Sequence, residues 1–236
     1  MPPPAAPPLM LELGNGRQIA IELKLSTTAR RLSMRVDGLR DRVVVVHPPG
    51  ISRRVALGFV QEKRAWVQTR LAALPPRIPF AAGAEIPLLG QPHRICPAPE
   101  ARRGVWAEDG VLWVSGQPEH LPRRVRDYLI RRAEDEITPR AHRLASHLGR
   151  RLNRVSFRDV RSRWGSCNSH GDMTFSWRLV LAPEPVLSYV VAHEVAHLVE
   201  LNHSPRFWAL VEDLAGDYAA DERWLKDHGS RLHRYG

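Results

Sequence analysis

The stretch His193 to His203, HEVAHLVELNH, constrains this chain more than any other. It places three histidines and a glutamate directly after the apolar run VLSYVVA. Such groups are costly to bury without partners. The fold must therefore bring them to a metal ion or to hydrogen-bonding groups of its own. On a helix, residues four apart share a face, about 40° from each other. His193 and His197 then project together and can share one Zn2+ through ring nitrogens. Glu194, about 100° round from His193, stands beside the ion, where its carboxylate can take a proton from a bound water.

His203 lies six residues beyond His197. A continuing helix would carry it too far round to reach the same ion, so the chain must reverse first. Asn202 tolerates the left-handed conformation, and Ser204-Pro205 can open a new helix at once. A corner at Leu201-Asn202 would swing His203 back under the metal, with Phe207, Trp208 and Leu210 locking that corner onto the core. Glu200, Glu212 and Asp213 are the rival ligands. Chance places an HExxH in a chain of this composition about 0.03 times, and a histidine at the eleventh position lowers that to about 0.0014. Ordinary core histidines bonded to backbone carbonyls are thus the weaker explanation.

Elsewhere the patterning is mixed α+β. LMLEL and IAIELKL alternate apolar and polar residues across GNG, a hairpin signal, and LSMRV and RVVVVH follow as strands. Ser52 is a candidate cap for one long helix over about 53–74, with Val55, Phe59, Trp66, Val67 and Leu71 on its apolar face. Short strands follow at EIPLLGQPHRI, GVWAE and VLWVS, with turns at LGQP and EDG. A second long helix runs over about 122–148, where Pro139 is expected to bend or break it. RVSFRDV and DMTFSWRLVL read as strands on either side of the loop RSRWGSCNSHG. The HExxH helix begins near APEP, another helix starts at Ser204-Pro205, and the last spans about 219–228. No repeat is visible in the residues. The domain reading is a proline-rich disordered tail over 1–8, a β-rich region with one long helix over 9–117, and a catalytic domain over 118–236.

Cys96 and Cys167 lie far apart and form no CxxC pair, MPPPAAPPLM is not a signal peptide, and no apolar run approaches the ~20 residues of a membrane span. These features point to a soluble cytoplasmic protein with no membrane partner. In the loop before the cleft strand, Trp164, Gly165, Ser166 and Cys167 either line a substrate site or serve as a turn and its packing. Arg161, Arg163 and Arg178 suit a substrate carboxylate or phosphate, or a solvated rim. Phe175 sits on the candidate cleft strand. Tyr189, about 40° from His193 on the helix, either donates to an oxyanion or packs in the core. His47, His93, His120, His142, His147 and His170 show no ligand spacing.

RSRWGSC together with WRLVLAPEPVLSYVVAHEVAHLVELNHSPRFW resembles the YgjP-like metallopeptidase family, a relative of the SprT-like and WLM zincins. RRLSMRV, HPPG and FVQEKRAWV resemble it more loosely, so the likeness covers most of the chain. It implies an α+β fold: a strand-rich N-terminal region followed by a zincin-like metallopeptidase domain with an HExxH active-site helix. It implies a zinc-dependent hydrolase with one Zn2+ per chain, held by His193, His197 and His203, with Glu194 as general base for a zinc-bound water. It also implies a peptide or protein substrate, bound along a strand bordering the cleft; DMTFSWRLVL is the candidate strand. Nucleotide pyrophosphatase activity is attributed to the family as well, so a UTP-type pyrophosphatase is the alternative enzyme.

A third alternative, a nucleic-acid module with a structural metal, comes from charge. The formal net charge is +10. Residues 121–163 alone hold 13 Arg against five acids, an excess of +8, without the aromatic interleaving that stacks bases. Either a GC-rich genome or an anionic partner accounts for this. The arginine excess predicts non-specific DNA or RNA binding that is measurable at ~50 mM salt and falls steeply with added salt through counterion release. A fluorescence-anisotropy titration at several salt concentrations checks it, and absent or salt-insensitive binding leaves genome composition as the cause.

Overall fold

The computed structural model describes residues 9–14, 16–38, 42–160 and 163–236, so the expected tail over 1–8 and Arg161 lie outside the described residues. The chain divides into two compact units, Met1–Pro76 and Arg77–Gly236. The sequence reading placed the boundary at 117–118 instead. Packing explains the difference. Ile86, Ile95, Leu112 and Val114, from the strands before that point, share one core with Leu121, Val125 and Leu129 after it. A cut at 117 would split a hydrophobic core.

In the first unit, β1 (Leu9–Glu12), β2 (Gln18–Leu25), β3 (Ser33–Asp37) and β4 (Arg42–His47) form a sheet of order β1-β2-β4-β3. Its outer pairs are antiparallel and its inner pair, β2 and β4, is parallel. Leu11, Ile19, Val43 and Val45 point to one face, where two helices cover them. The single helix expected there is two, α1 (Arg53–Glu62) and α2 (Arg64–Ala72), interrupted at Lys63. Ser52 does cap the first, accepting from the Val55 N–H. The buried face is Ala56, Val60, Val67 and Leu71, while Val55 and Trp66 are exposed. The expected apolar stripe thus lies partly one position early, because Val55 is more apolar than the buried Ala56 beside it.

The second unit opens with β5 (Glu85–Leu88), β6 (Gln91–Ala98), β7 (Val105–Glu108) and β8 (Val111–Ser115), in the order β5-β6-β8-β7 with β6 and β8 parallel. This repeats the topology of the first sheet, a duplication that the residues do not display. The turns Leu89-Gly90 and Asp109-Gly110 have positive φ at both positions, the conformation that matches strand twist in two-residue hairpins. A long helix, α3 (Leu121–His147), then runs unbroken through Pro139. Its buried spine recurs every fourth residue from Leu121 to Ala145. Proline removes one backbone donor, but Arg140 reinforces the next turn. Its guanidinium donates to the Glu136 carbonyl at 2.6 Å and also pairs with the Glu136 carboxylate.

After α3 come β9 (Arg154–Arg158), β10 (Gly165–Cys167) and β11 (Asp172–Ser176), then α4 (Glu184–Ala196), α5 (Pro205–Ala215) and α6 (Ala219–Leu232). The three strands are ordered β10-β11-β9. The strand expected over 172–181 ends at Ser176, and Trp177–Leu181 coils into a tight 3-10 turn. All five of those residues are buried, so they carry no alternation from which strand could be told from helix. Among the described residues, no helix is long and apolar enough to cross a membrane.

Arg178, expected to face substrate, is instead buried in that turn at 6% exposure. It pairs with Asp159 at 2.7 Å and donates to the carbonyls of Leu232 and Tyr235. It therefore ties the C-terminal residues to the core. Arg178→Leu should cost about 2–4 kcal/mol, since two carbonyls lose a charged donor. Asp159→Asn should cost less, because Asp159 is 43% exposed and can be rehydrated. Urea denaturation of both variants checks the order.

Candidate metal centre and cleft

The α4 helix carries His193 and Glu194 and ends at Ala196, with His197 as its C-cap. It is buried almost all round, through Val186, Leu187, Val190, Val191, Val195 and Ala196. A helix apolar on every face belongs in the middle of a domain, so its polar groups need an internal partner. The pair Arg140–Glu184, at 2.5 Å, links α3 to its first turn.

The chain reverses sooner than the sequence suggests. It leaves the helix at His197, and the Glu200 N–H bonds back to the Ala196 carbonyl. No left-handed asparagine is used: among the described residues other than glycine, only Leu89 and Asp109 have positive φ. Instead the Asn202 carbonyl accepts from the Ser204 N–H at 2.8 Å, and Ser204 caps α5 by accepting from Phe207. The outcome is still the reversal that the third histidine requires. His203 Nε2 stands 3.1 Å from His193 Nε2. Phe207, fully buried, touches all three imidazoles with ring centroids at 4.6–4.9 Å. Trp208 adds contacts to His193 and His203 at 5.7 Å.

The donor set fits a metal ion. Ligating nitrogens from His193, His197 and His203 lie within 4.8 Å of one another, and they form the one such group among the described residues. Glu200, Glu212 and Asp213 are outside it; Asp213 faces His147 instead. Two nitrogens on a tetrahedral zinc stand about 3.3 Å apart, close to the observed 3.1 Å. His197 Nδ1 lies 3.0 Å from the Glu200 carbonyl. That bond fixes the tautomer and leaves Nε2 with its lone pair. Burial, then repulsion from His197 and His203, pushes His193 down to about 4, so it stays neutral as a ligand must. Its buried Nδ1 has no hydrogen-bond partner among the described residues.

Glu194 is 6% exposed. Burial pushes its carboxyl up to about 7, against the opposing pull of Arg163. Gly165 makes room for it, since a Cβ there would stand 2.5 Å from Glu194 Cγ. This close approach gives Gly165 a role that its place in a loop-like sequence did not reveal. A cleft of about 440 Å³ opens beside these groups, lined also by Arg163, Trp164, Gly165, Ser166, Cys167 and Tyr189. Val190, Leu201 and Leu225 line it as well, and nothing in their spacing had singled them out as cleft residues.

Two candidate substrate residues lie elsewhere. Phe175 is fully buried and stacks on Phe157, and Arg178 is the buried anchor described above. The expected peptide-binding strand also changes, because β11 has β9 on one side and β10 on the other. The cleft borders β10, one of the sheet's two edge strands among the described residues. Cys167 is pushed up to about 11 by burial and the nearby Glu194 and Asp172 charges, which keeps it a thiol. Burial likewise raises the Tyr189 phenol, which stacks on Tyr218 at 5.2 Å.

A family model described as YgjP-like, metallopeptidase domain, matches residues 30–228. A solved structure, the crystal structure of the metallopeptidase zymogen of Pyrococcus abyssi abylysin, is similar at 22% identity and a TM-score of 0.34. The match covers 39% of this chain and 93% of that one. No curated protein matches.

The buried carboxyl makes a stability prediction for metal-free protein. A carboxyl whose folded pKa, about 7, exceeds its ordinary value of 4.5 lowers stability in full above the folded value and not at all below the unfolded one. Glu194→Gln should therefore stabilise the chelated protein at pH 8 by roughly 1–3 kcal/mol, and the gain should shrink toward pH 5. Urea denaturation in excess chelator at the two pH values measures it.

Proposed function

The chain belongs to the YgjP-like metallopeptidase family, and from that premise we propose that it is a zinc peptidase. In this reading His193, His197 and His203 hold one zinc ion, and Glu194 is the general base. The observation that carries it is the convergence of three imidazoles beside one buried carboxylate in a single cleft. Three imidazole donors without a thiolate match catalytic zinc sites, which keep a position open. When bound, the ion supplies polarisation of the scissile carbonyl and a water acidified toward neutrality.

The chain's own residues do the rest. Glu194 accepts the proton of the attacking water and hands it to the leaving amine. A carboxyl near pH 7 suits both halves of that transfer, and the cleft wall at Gly165 holds it in place. Tyr189 keeps its proton and serves as a neutral donor to the developing oxyanion. The edge of β10 takes the substrate as an added strand, through backbone hydrogen bonds that fix its register. The two cysteines are free thiols, in keeping with a cytoplasmic setting.

The peptide reading is preferred to the pyrophosphatase on one observation. Of the arginines considered for phosphate, Arg178 is committed to Asp159 and the C-terminal carbonyls, while Arg163 lines the cleft. The nucleic-acid reading also loses part of its basis. Arg140 on α3 pairs with Glu184, an acid outside the 121–163 count, whereas the pairs of Arg123 with Asp127 and Arg132 with Glu136 are already within the +8.

Glu194→Gln should keep zinc and fold while hydrolysis falls at least ~100-fold, the scale of general-base contributions. His203→Ala should lose zinc and activity together, whereas Glu200→Ala should keep both, because Glu200 contributes its backbone carbonyl and not its carboxylate. Metal analysis and turnover of unfolded protein and nucleoside triphosphates, with and without chelator, test these assignments. Chelator-sensitive cleavage of triphosphates but not of protein would sink the peptidase assignment.

A further inference from the structure

The cleft is lined by His193, Glu194, His197 and His203 and also by three apolar side chains, Trp164, Leu201 and Leu225, brought together from β10's approach, the reversal after α4, and α6. Leu201 is 57% exposed, and it is the one exposed large hydrophobic of the second unit among the described residues. A lone exposed leucine means little. Three apolar side chains facing one cavity beside the reactive groups are a different matter, because they leave a place where apolar surface can be buried only by a ligand.

Trp164 is held in a fixed pose. Its ring stacks on His233 with centroids 4.7 Å apart and planes at 18°. Its other neighbour is Gly229, where a Cβ would come within 3.1 Å of the indole. Its carbonyl accepts from the Ser176 N–H at 2.8 Å, which ties it to the sheet. The wall is therefore pre-organised, and a ligand need not order it on binding. Arg163, next along the chain, also lines the cleft, and it offers an acidic side chain a competing attraction.

We propose that Trp164, Leu201 and Leu225 form a subsite for a bulky aliphatic or aromatic side chain beside the scissile bond. The preferred substrates are then peptides presenting such a residue there. This rests on reading the cleft as a peptidase site. Burying a leucine or phenylalanine side chain favours it over a serine by roughly 10-fold or more.

The test uses the full-length, zinc-loaded chain and capped, internally quenched peptides identical except for the residue beside the cleavage point: Leu, Phe, Ser or Asp. The Leu and Phe peptides should show kcat/KM at least ~10-fold above Ser. Leu201→Ser, at a position 57% exposed, should reduce that ratio at least ~3-fold through KM while zinc content stays at one per chain. Equal rates for all four, a preference for Asp, or an unchanged ratio in Leu201→Ser would each overturn the proposal. Binding is read separately, by tryptophan fluorescence of zinc-loaded Glu194→Gln titrated with the same peptides without quencher. If no peptide is cleaved by wild type, the peptidase reading fails. The titration still decides the subsite: tighter Leu and Phe binding that Leu201→Ser weakens supports it, and indifference removes it.

Discussion

The second unit is organised around the cost of putting polar groups on α4. The helix is buried through Val186, Leu187, Val191 and Val195, so His193 and Glu194 cannot turn to solvent. Their neighbours answer that cost in different ways. The reversal after His197 brings His203 to His193, and Phe207 fills the space under all three rings. Gly165 gives up a side chain so that the Glu194 carboxylate has somewhere to lie. The burial that makes the helix a good core element is the same burial that raises Glu194 and lowers His193.

Around that helix the other elements act as supports. Pro139 would weaken α3 where it runs alongside, yet Arg140 answers with bonds to Glu136 and an ion pair to Glu184 at the start of α4. Arg178 gathers Asp159, Leu232 and Tyr235, which fixes the end of α6. The α6 helix then seats Trp164 between Gly229 and His233. One wall of the cleft is thus set by residues near the end of the chain, far in sequence from the HExxH helix.

The site was legible where its geometry is local, and much less so where it depends on packing. The i, i+4 spacing of His193 and His197 is a property of any helix, and Ser204-Pro205 announces a helix start. The reversal itself was foreseen, but its means was not, because a bend built from one Asn202 carbonyl leaves no residue signature. Arg178 and Phe175 looked available because sequence shows type and not depth. Leu201 and Leu225 were invisible as cleft residues, since an apolar residue in a loop or helix is read as core. The two four-stranded sheets were predictable strand by strand, whereas β10 lies within the segment expected to be a loop. Their shared order, with two hairpins joined by a parallel inner pair, rests on non-local pairing and cannot be read from alternation.

The electrostatics of the metal-free centre follow from the same burial. Below about pH 7 the folded state keeps a proton on Glu194 that the unfolded chain sheds above its ordinary carboxyl value of 4.5. Above about pH 4 it lacks a proton on His193 that the unfolded chain keeps up to its ordinary 6.5. Between pH 4.5 and 6.5 the two differences have opposite signs and nearly cancel, so this pair adds little slope to stability there. Both groups are then neutral, and the centre is least penalised by burial. Above about pH 7 Glu194 ionises at the full cost of its burial, offset only in part by Arg163. A divalent ion on the three imidazoles supplies further positive charge. The carboxylate is therefore most costly in the pH range where it is needed as a base, and the ion is what allows the fold to keep it.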